Sequence, residues 1–302
     1  MSSVYRSSRG RAAIRDWCER KLDGWPVPHE RREIATTAGQ THLLIAGRPN
    51  IGTVLYLPGT NFNAATSLSI AGELAARVNL VVADLPGQPG LSAGDRPGGD
   101  RFAAYGAWAG EVVEHVHQSV GSGPLTVVGH SLGAAVALAA PSSNISALGL
   151  VNPAGLVRLR LTRPVLRSTL AWLVRPGDRT SAALLRHLVG PVRQSQPDLV
   201  QWMTLVARHA RPAGAPGPLD PGLLTHWRQT PRVVLSGERD CFLPPEALGR
   251  AVRGRLGVRL GVLRGLGHLS VVDDPTSVSA LLTSALDPHQ RSSAGPTTGG
   301  EW

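Results

Sequence analysis

Past residue 50 the chain alternates short apolar runs with longer stretches of helical periodicity. Ile51–Leu57 (IGTVLYL), Leu80–Ala83 (LVVA), Leu125–Val128 (LTVV), Ala147–Val151 (ALGLV), Arg232–Leu235 (RVVL) and Gly257–Val262 (GVRLGV) read as strands. Ala64–Arg77, Phe102–Val120, Leu132–Ala140, a stretch near Glu246–Gly254 and Pro275–Leu286 read as helices. This rhythm predicts an α/β fold with a mostly parallel central sheet flanked by helices on both faces. Upstream, Glu33–Thr37 and Thr41–Ala46 suit a hairpin turning at Ala38-Gly39-Gln40, which would add an antiparallel edge. The rhythm breaks after Asn152-Pro153. Residues 156–228 look helical, with Pro and Gly breaks, and strands resume only afterwards, so this stretch is predicted to be a helical cap inserted in the core. The expected organisation is an N-terminal extension (1–31), a core (32–155 and 229–287), the cap (156–228) and a Ser/Thr/Gly-rich disordered tail (288–302).

Composition changes the picture little. The 302 residues are 42% hydrophobic and 17% charged, an ordinary globular balance. The formal net charge is +10, and Lys21 is the only lysine among 31 basic residues. Arg is concentrated in the predicted cap, which holds eleven Arg against Asp178, Asp198 and Asp220. No compact basic motif or stacking platform accompanies that charge, so a nucleic-acid partner is not expected. Cys18 and Cys241 form neither a CxxC motif nor a disulfide framework. The first twenty residues lack the apolar core of a secretory signal, and a cytoplasmic location is expected.

The chemistry centres on Gly129-His130-Ser131-Leu132-Gly133, where an apolar strand stops and a small-residue helix starts. A serine at so tight a turn needs neighbours without bulk, which Gly129 and Gly133 supply. The turn presents the Ser131 hydroxyl at a helix N-terminus, whose free N–H groups can stabilise an oxyanion. A hydroxyl is a weak nucleophile without a base and an acid to orient that base. Of ten histidines, His268 sits on a Gly-Leu-Gly loop after the last predicted strand, and a parallel sheet sends such loops to the edge that carries Ser131. Asp240 follows the preceding strand, with Glu238 a nearby competitor; the strand before that ends in LVNPAGL, which has no carboxylate. Two N–H donors must converge on the oxyanion. Leu132 supplies one, and the loop LPGTNFN supplies the other through Thr60, with Gly59 allowing close approach. Asn61 and Asn63 on that loop either contact substrate or make Asx turns.

With LPGTNFN, VVADLPGQPGLSAG, VVGHSLGAAVAL, SGERDCFLPP and GLGHLS in this order, the chain resembles the α/β-hydrolase superfamily from about Arg32 to Asp287. Two positions depart from the pattern. Pro58 stands where His is usual, and Ala134 stands where a second Gly often follows the nucleophile turn. The resemblance implies Ser131 as nucleophile, Asp240 as acid and His268 as base, with Asp84 and its loop structural and no cofactor or metal. It implies a serine hydrolase acting on a small-molecule ester or thioester through an acyl-enzyme. A C–C hydrolase, an acyltransferase and a non-catalytic small-molecule receptor use similar scaffolds and stay open. The Arg-rich cap suits an anionic acyl carrier, an anionic surface or mere compositional bias, and the oligomeric state is unread.

Overall fold

A computed structural model describes residues 3–48, 52–120, 123–141, 143–190 and 196–286. The strands are β1 (His29–Thr36), β2 (Gly39–Gly47), β3 (Thr53–Leu57), β4 (Asn79–Ala83), β5 (Leu125–His130), β6 (Ala147–Val151), β7 (Arg232–Gly237) and β8 (Leu260–Leu263). They form one eight-stranded sheet in the order β1-β2-β4-β3-β5-β6-β7-β8. β2 runs antiparallel to β1 and β4, and the other pairings are parallel. The predicted hairpin is the β1–β2 edge, turning at Gly39.

Side chains of a strand alternate between the two faces, and here both faces are buried. Val54 and Tyr56 of β3 enter one core, while Leu55 and Leu57 enter the other; Leu80 and Val82 of β4 oppose Val81 and Ala83 in the same way. α2 (Leu68–Ala75) and α10 (Pro275–Leu286) cover the first face, joined by α1 (Ser8–Asp23). α3 (Arg101–Ser119), α4 (Leu132–Ala139) and α8 (Pro245–Leu256) cover the second.

Three details depart from the sequence reading. The single helix expected over Ala64–Arg77 is a 3₁₀ turn, Ala64–Thr66, followed by α2. The Asn63 N–H donates to Thr66 Oγ1 (2.8 Å) and the Thr66 N–H to Asn63 Oδ1 (3.1 Å), a reciprocal cap that starts the chain afresh. The last strand starts at Leu260, because Gly257 (φ 73°) closes α8 in the left-handed conformation. The third is α1, within the residues expected to be an N-terminal extension. Its buried face, Ile14, Trp17, Cys18 and Leu22, docks on the insert: the rings of Trp17 and Trp202 meet with centroids 4.8 Å apart and planes tilted by 38°. Ile51 and the tail 288–302 lie outside the described residues.

The insert contributes α5 (Arg163–Val174), α6 (Asp178–Leu188) and α7 (Pro197–His209), which pack on one another. It is fastened over the C-terminal edge of the sheet. The Leu269 N–H donates to Leu188 O (3.0 Å), and Asp273 Oδ2, in α9 (Ser270–Asp273), accepts from the N–H groups of Gly190 (2.7 Å) and Gly267 (2.8 Å). Trp202 Nε1–H donates to Asn61 O (2.8 Å). No helix among the described residues is long and apolar enough to cross a membrane.

Candidate active site

The turn between β5 and α4 has the backbone its glycines permit. Ser131 adopts φ 51°, ψ −111°, a strained conformation for a residue with a Cβ. A Cβ on Gly129 would overlap the carbonyl oxygen of Gly133, and one on Gly133 would overlap that of Leu57. The Ser131 N–H donates to Val151 O of the neighbouring strand (3.0 Å), which pins the turn to the sheet.

Three side chains from three separate loops meet at this turn. Ser131 Oγ lies 3.0 Å from His268 Nε2, and His268 Nδ1 lies 2.8 Å from Asp240 Oδ2. All three are buried, with relative exposures of 8, 6 and 7%. With Nδ1–H donating to Asp240, Nε2 is left to accept the Ser131 hydroxyl proton. Glu238, the rival carboxylate, faces away: it is exposed, and its Oε2 accepts from the Gly265 N–H (2.9 Å).

Asp240 is held from both sides. Its Oδ1 accepts the N–H groups of Phe242 (2.8 Å) and Leu243 (3.0 Å), an Asx arrangement at the entry to α8. Oδ2 accepts from His268 and from Asn152 Nδ2 (2.8 Å). Burial pushes this carboxyl up, but the facing His268 and the hydrogen bonds from His268, Asn152 and Phe242 outweigh burial and hold it below its ordinary range. Asn152 is a site residue that the sequence reading passed over. It follows β6, in the very LVNPAGL segment that lacks a carboxylate, is fully buried and sits at φ 46°. Its Oδ1 accepts from Ser270 Oγ, linking α9 to Asp240. The signal was an Asn after a strand that ends at the Ser131 edge.

His130 points into the protein between the two loops that flank Ser131. Its Nε2 is 2.9 Å from His268 O, and its ring meets Phe62 edge-on. Burial first, and the nearby His268 second, push the imidazole down to about 4. The folded state thus refuses a proton that the unfolded chain binds below about pH 6.5. The resulting stability is complete above that value and is lost as pH falls from about 6.5 toward 4, by roughly 2–3 kcal/mol. Urea unfolding at pH 7 and pH 4.5 checks this: a His130→Gln variant should lose less stability than wild type over the interval, and equal losses would clear His130.

On the other side of Ser131 lies the loop after β3. A Cβ on Gly59 would stand 2.9 Å from His130 Nδ1 and 3.3 Å from Ser131 Cβ, so the backbone there passes directly against the Ser131 turn. Among the described residues the Thr60 N–H makes no hydrogen bond, and Leu132 opens α4, so its N–H has no acceptor one turn back. Gln88, also missed from sequence, fixes this loop: its Oε1 accepts the N–H of Asn61 (3.0 Å), which adopts φ 62°. Of the two asparagines, Asn63 makes the Asx chemistry. It is buried, its Oδ1 caps Thr66, and its Nδ2 donates to Pro89 O (3.0 Å). Of the two alternatives read for Asn63, its hydrogen bonds are those of the Asx turn. Asp84 is likewise structural, its carboxylate accepting the N–H groups of Ala64 (2.7 Å) and Leu91 (3.1 Å).

The profile of the alpha/beta hydrolase family matches residues 54–281. Among solved structures, a naproxen esterase from Bacillus subtilis superposes with a TM-score of 0.77 at 16% identity, covering 93% of this chain and 100% of the other. A carboxylesterase from Bacillus subtilis gives 0.74 at 16% identity, with 92% and 98% covered. A 2-hydroxy-6-oxo-6-phenylhexa-2,4-dienoate hydrolase from Rhodococcus gives 0.61 at 20%, with 85% and 99% covered. No curated protein matches the chain by sequence.

Proposed function

Because this chain belongs to the alpha/beta hydrolase family, we propose that it is a serine hydrolase that cleaves a carboxylic ester or thioester of a small or acyl substrate through an acyl-enzyme. The observation that carries the reading is the continuous hydrogen-bond path from Ser131 through His268 to Asp240.

Each group then has a defined task. His268 Nε2 takes the Ser131 proton as Oγ bonds to the substrate carbonyl carbon. The carbonyl oxygen becomes an oxyanion, received by the N–H groups of Thr60 and Leu132. Collapse breaks the bond to the alcohol or thiol, which leaves with the proton from His268. Water, deprotonated by the same imidazole, then attacks the ester on Ser131 and releases the acid, returning the proton to Oγ. Asp240 keeps His268 in the tautomer with Nδ1 protonated and stabilises the imidazolium. Asn61, on the same loop as Thr60, serves in this reading as a substrate contact. The insert, fastened to both the His268 loop and the Asn61 loop, acts as the cap that limits water and shapes the acyl pocket.

A fluorophosphonate probe tests this directly, since it phosphonylates only an activated serine. Peptide mapping should place the adduct on Ser131, in a protein that turns over short p-nitrophenyl esters. A protein that is neither labelled nor active, yet binds small ligands, would replace the hydrolase with a receptor.

A further inference from the structure

The large hydrophobic side chains exposed among the described residues fall on one short segment: Leu161 (57%), Leu166 (54%), Leu170 (59%) and Val174 (68%). Leu161 precedes α5; the other three recur every fourth residue along it. At about 100° per residue they lie within roughly 80° of one another around the helix. The opposite side of α5 is where it packs, through Val165 and Trp172, whose Nε1–H donates to Met203 O (2.9 Å). The aliphatic stripe therefore has no partner among the described residues.

The same segment is uniformly basic. Arg158, Arg160, Arg163, Arg167 and Arg175 are exposed, and residues 157–177 contain no Asp or Glu. Among the described residues none of these guanidinium groups makes an ion pair, although Arg and Lys elsewhere do. Arg163 and Arg167 share the exposed side of α5 with the stripe. A solvated Arg face would not need the leucines, and a protein interface is enriched in aromatic side chains, of which the exposed side of α5 has none. Aliphatic side chains that reach into acyl chains, ringed by guanidinium groups at phosphate depth, match the edge of an anionic bilayer.

We propose that α5 and the residues leading into it form a docking surface for a membrane rich in anionic phospholipid. The helix lies in the headgroup plane, with Leu166, Leu170 and Val174 toward the acyl chains and the five Arg on phosphates. Docking there also has a consequence for delivery. The Arg160 N–H donates to Phe242 O (2.8 Å), and the Phe242 ring stands edge-on to His268, centroids 4.9 Å apart. A bilayer on α5 would thus rest beside the site and present acyl substrates to it.

Co-sedimentation of the full chain with vesicles tests the surface. Phosphatidylcholine vesicles containing phosphatidylglycerol should bind at least about tenfold more tightly than phosphatidylcholine alone, and salt should weaken the difference. Arg163→Gln/Arg167→Gln should weaken binding about thirtyfold. Leu166→Ser/Leu170→Ser should weaken it by at least as much. Unfolding temperature and turnover of a short soluble ester should stay at wild-type values in both variants, because all four side chains are exposed. Equal affinity for neutral vesicles, or no binding to either, overturns the proposal. So does vesicle binding that the leucine variant retains, which would make the contact purely electrostatic and leave the stripe without a role, or a wild-type dimer that the leucine variant abolishes, which would make the stripe a self-interface.

Discussion

Replacing Ser131 by alanine is expected to lower kcat on a p-nitrophenyl ester by about ten-thousand- to a million-fold, the range that triad serines show elsewhere, with KM nearly unchanged. Among the described residues the hydroxyl makes one hydrogen bond, to His268, so its removal deletes the proposed nucleophile and little else. Ser131 is already at positive φ, and alanine meets the same backbone strain, so the thermal unfolding temperature should move by no more than a few degrees. The sharper expectation concerns combinations. His268→Ala should be about as damaging as Ser131→Ala, and the double variant no worse than either, because the groups act as a unit. Steady-state kinetics on the three proteins checks this, with unlabelled Ser131→Ala in the fluorophosphonate experiment as the companion control. Losses that multiply in the double variant would mean that serine and histidine act independently, which the 3.0 Å contact between them argues against.

What could be read in the sequence divides along physical lines. Central strands were legible because both faces are buried, so LVVA and ALGLV could be little else; β4 and β6 differ from the expectation by a residue at most. Ser131, Asp240 and His268 were legible because topology does the work: loops after parallel strands share an edge, so residues more than a hundred positions apart could be paired before any coordinate was known. The support around them was harder to see. Asn152 acts through its amide, and an Asn before Pro reads first as a turn. Gln88 sits in a Gly/Pro-rich loop whose backbone path no periodicity encodes. α1 did carry a signal, since Ile14, Trp17, Cys18 and Leu22 follow helical spacing after a capping Ser7; charges between them, and a position outside the strand rhythm, hid it. The stripe on α5 was legible as residues but not as a surface, because only packing tells which side of an amphipathic helix finds a partner.

Asp240→Asn is expected to lower kcat by about a thousand- to ten-thousand-fold while leaving the fold intact, and the hydrogen-bond pattern says why. Oδ1 faces two backbone N–H groups, those of Phe242 and Leu243, which cannot turn away. The amide of an asparagine there must therefore place its oxygen at the Oδ1 position and its NH₂ at the Oδ2 position. That NH₂ faces His268 Nδ1, which can then only accept, so the imidazole proton moves to Nε2. The ring nitrogen facing Ser131 becomes a donor and can no longer take the hydroxyl proton, the same tautomer error that disables other triads when their acid is amidated. Asn152 Nδ2 meets the new NH₂ as well and loses its Oδ2 acceptor, but it keeps Gly267 O (3.3 Å) and Ser236 Oγ (3.4 Å) as acceptors, and its Oδ1 keeps Ser270. The packing should therefore survive and the loss should fall on kcat rather than on stability. Asn152→Gly separates the acid from its support. Glycine tolerates the left-handed backbone at φ 46° and removes only the amide, so kcat should fall about tenfold, the scale of one lost hydrogen bond to a charged group. An Asp240→Asn enzyme that kept wild-type kcat would move the orienting role to another group and dissolve the three-residue assignment.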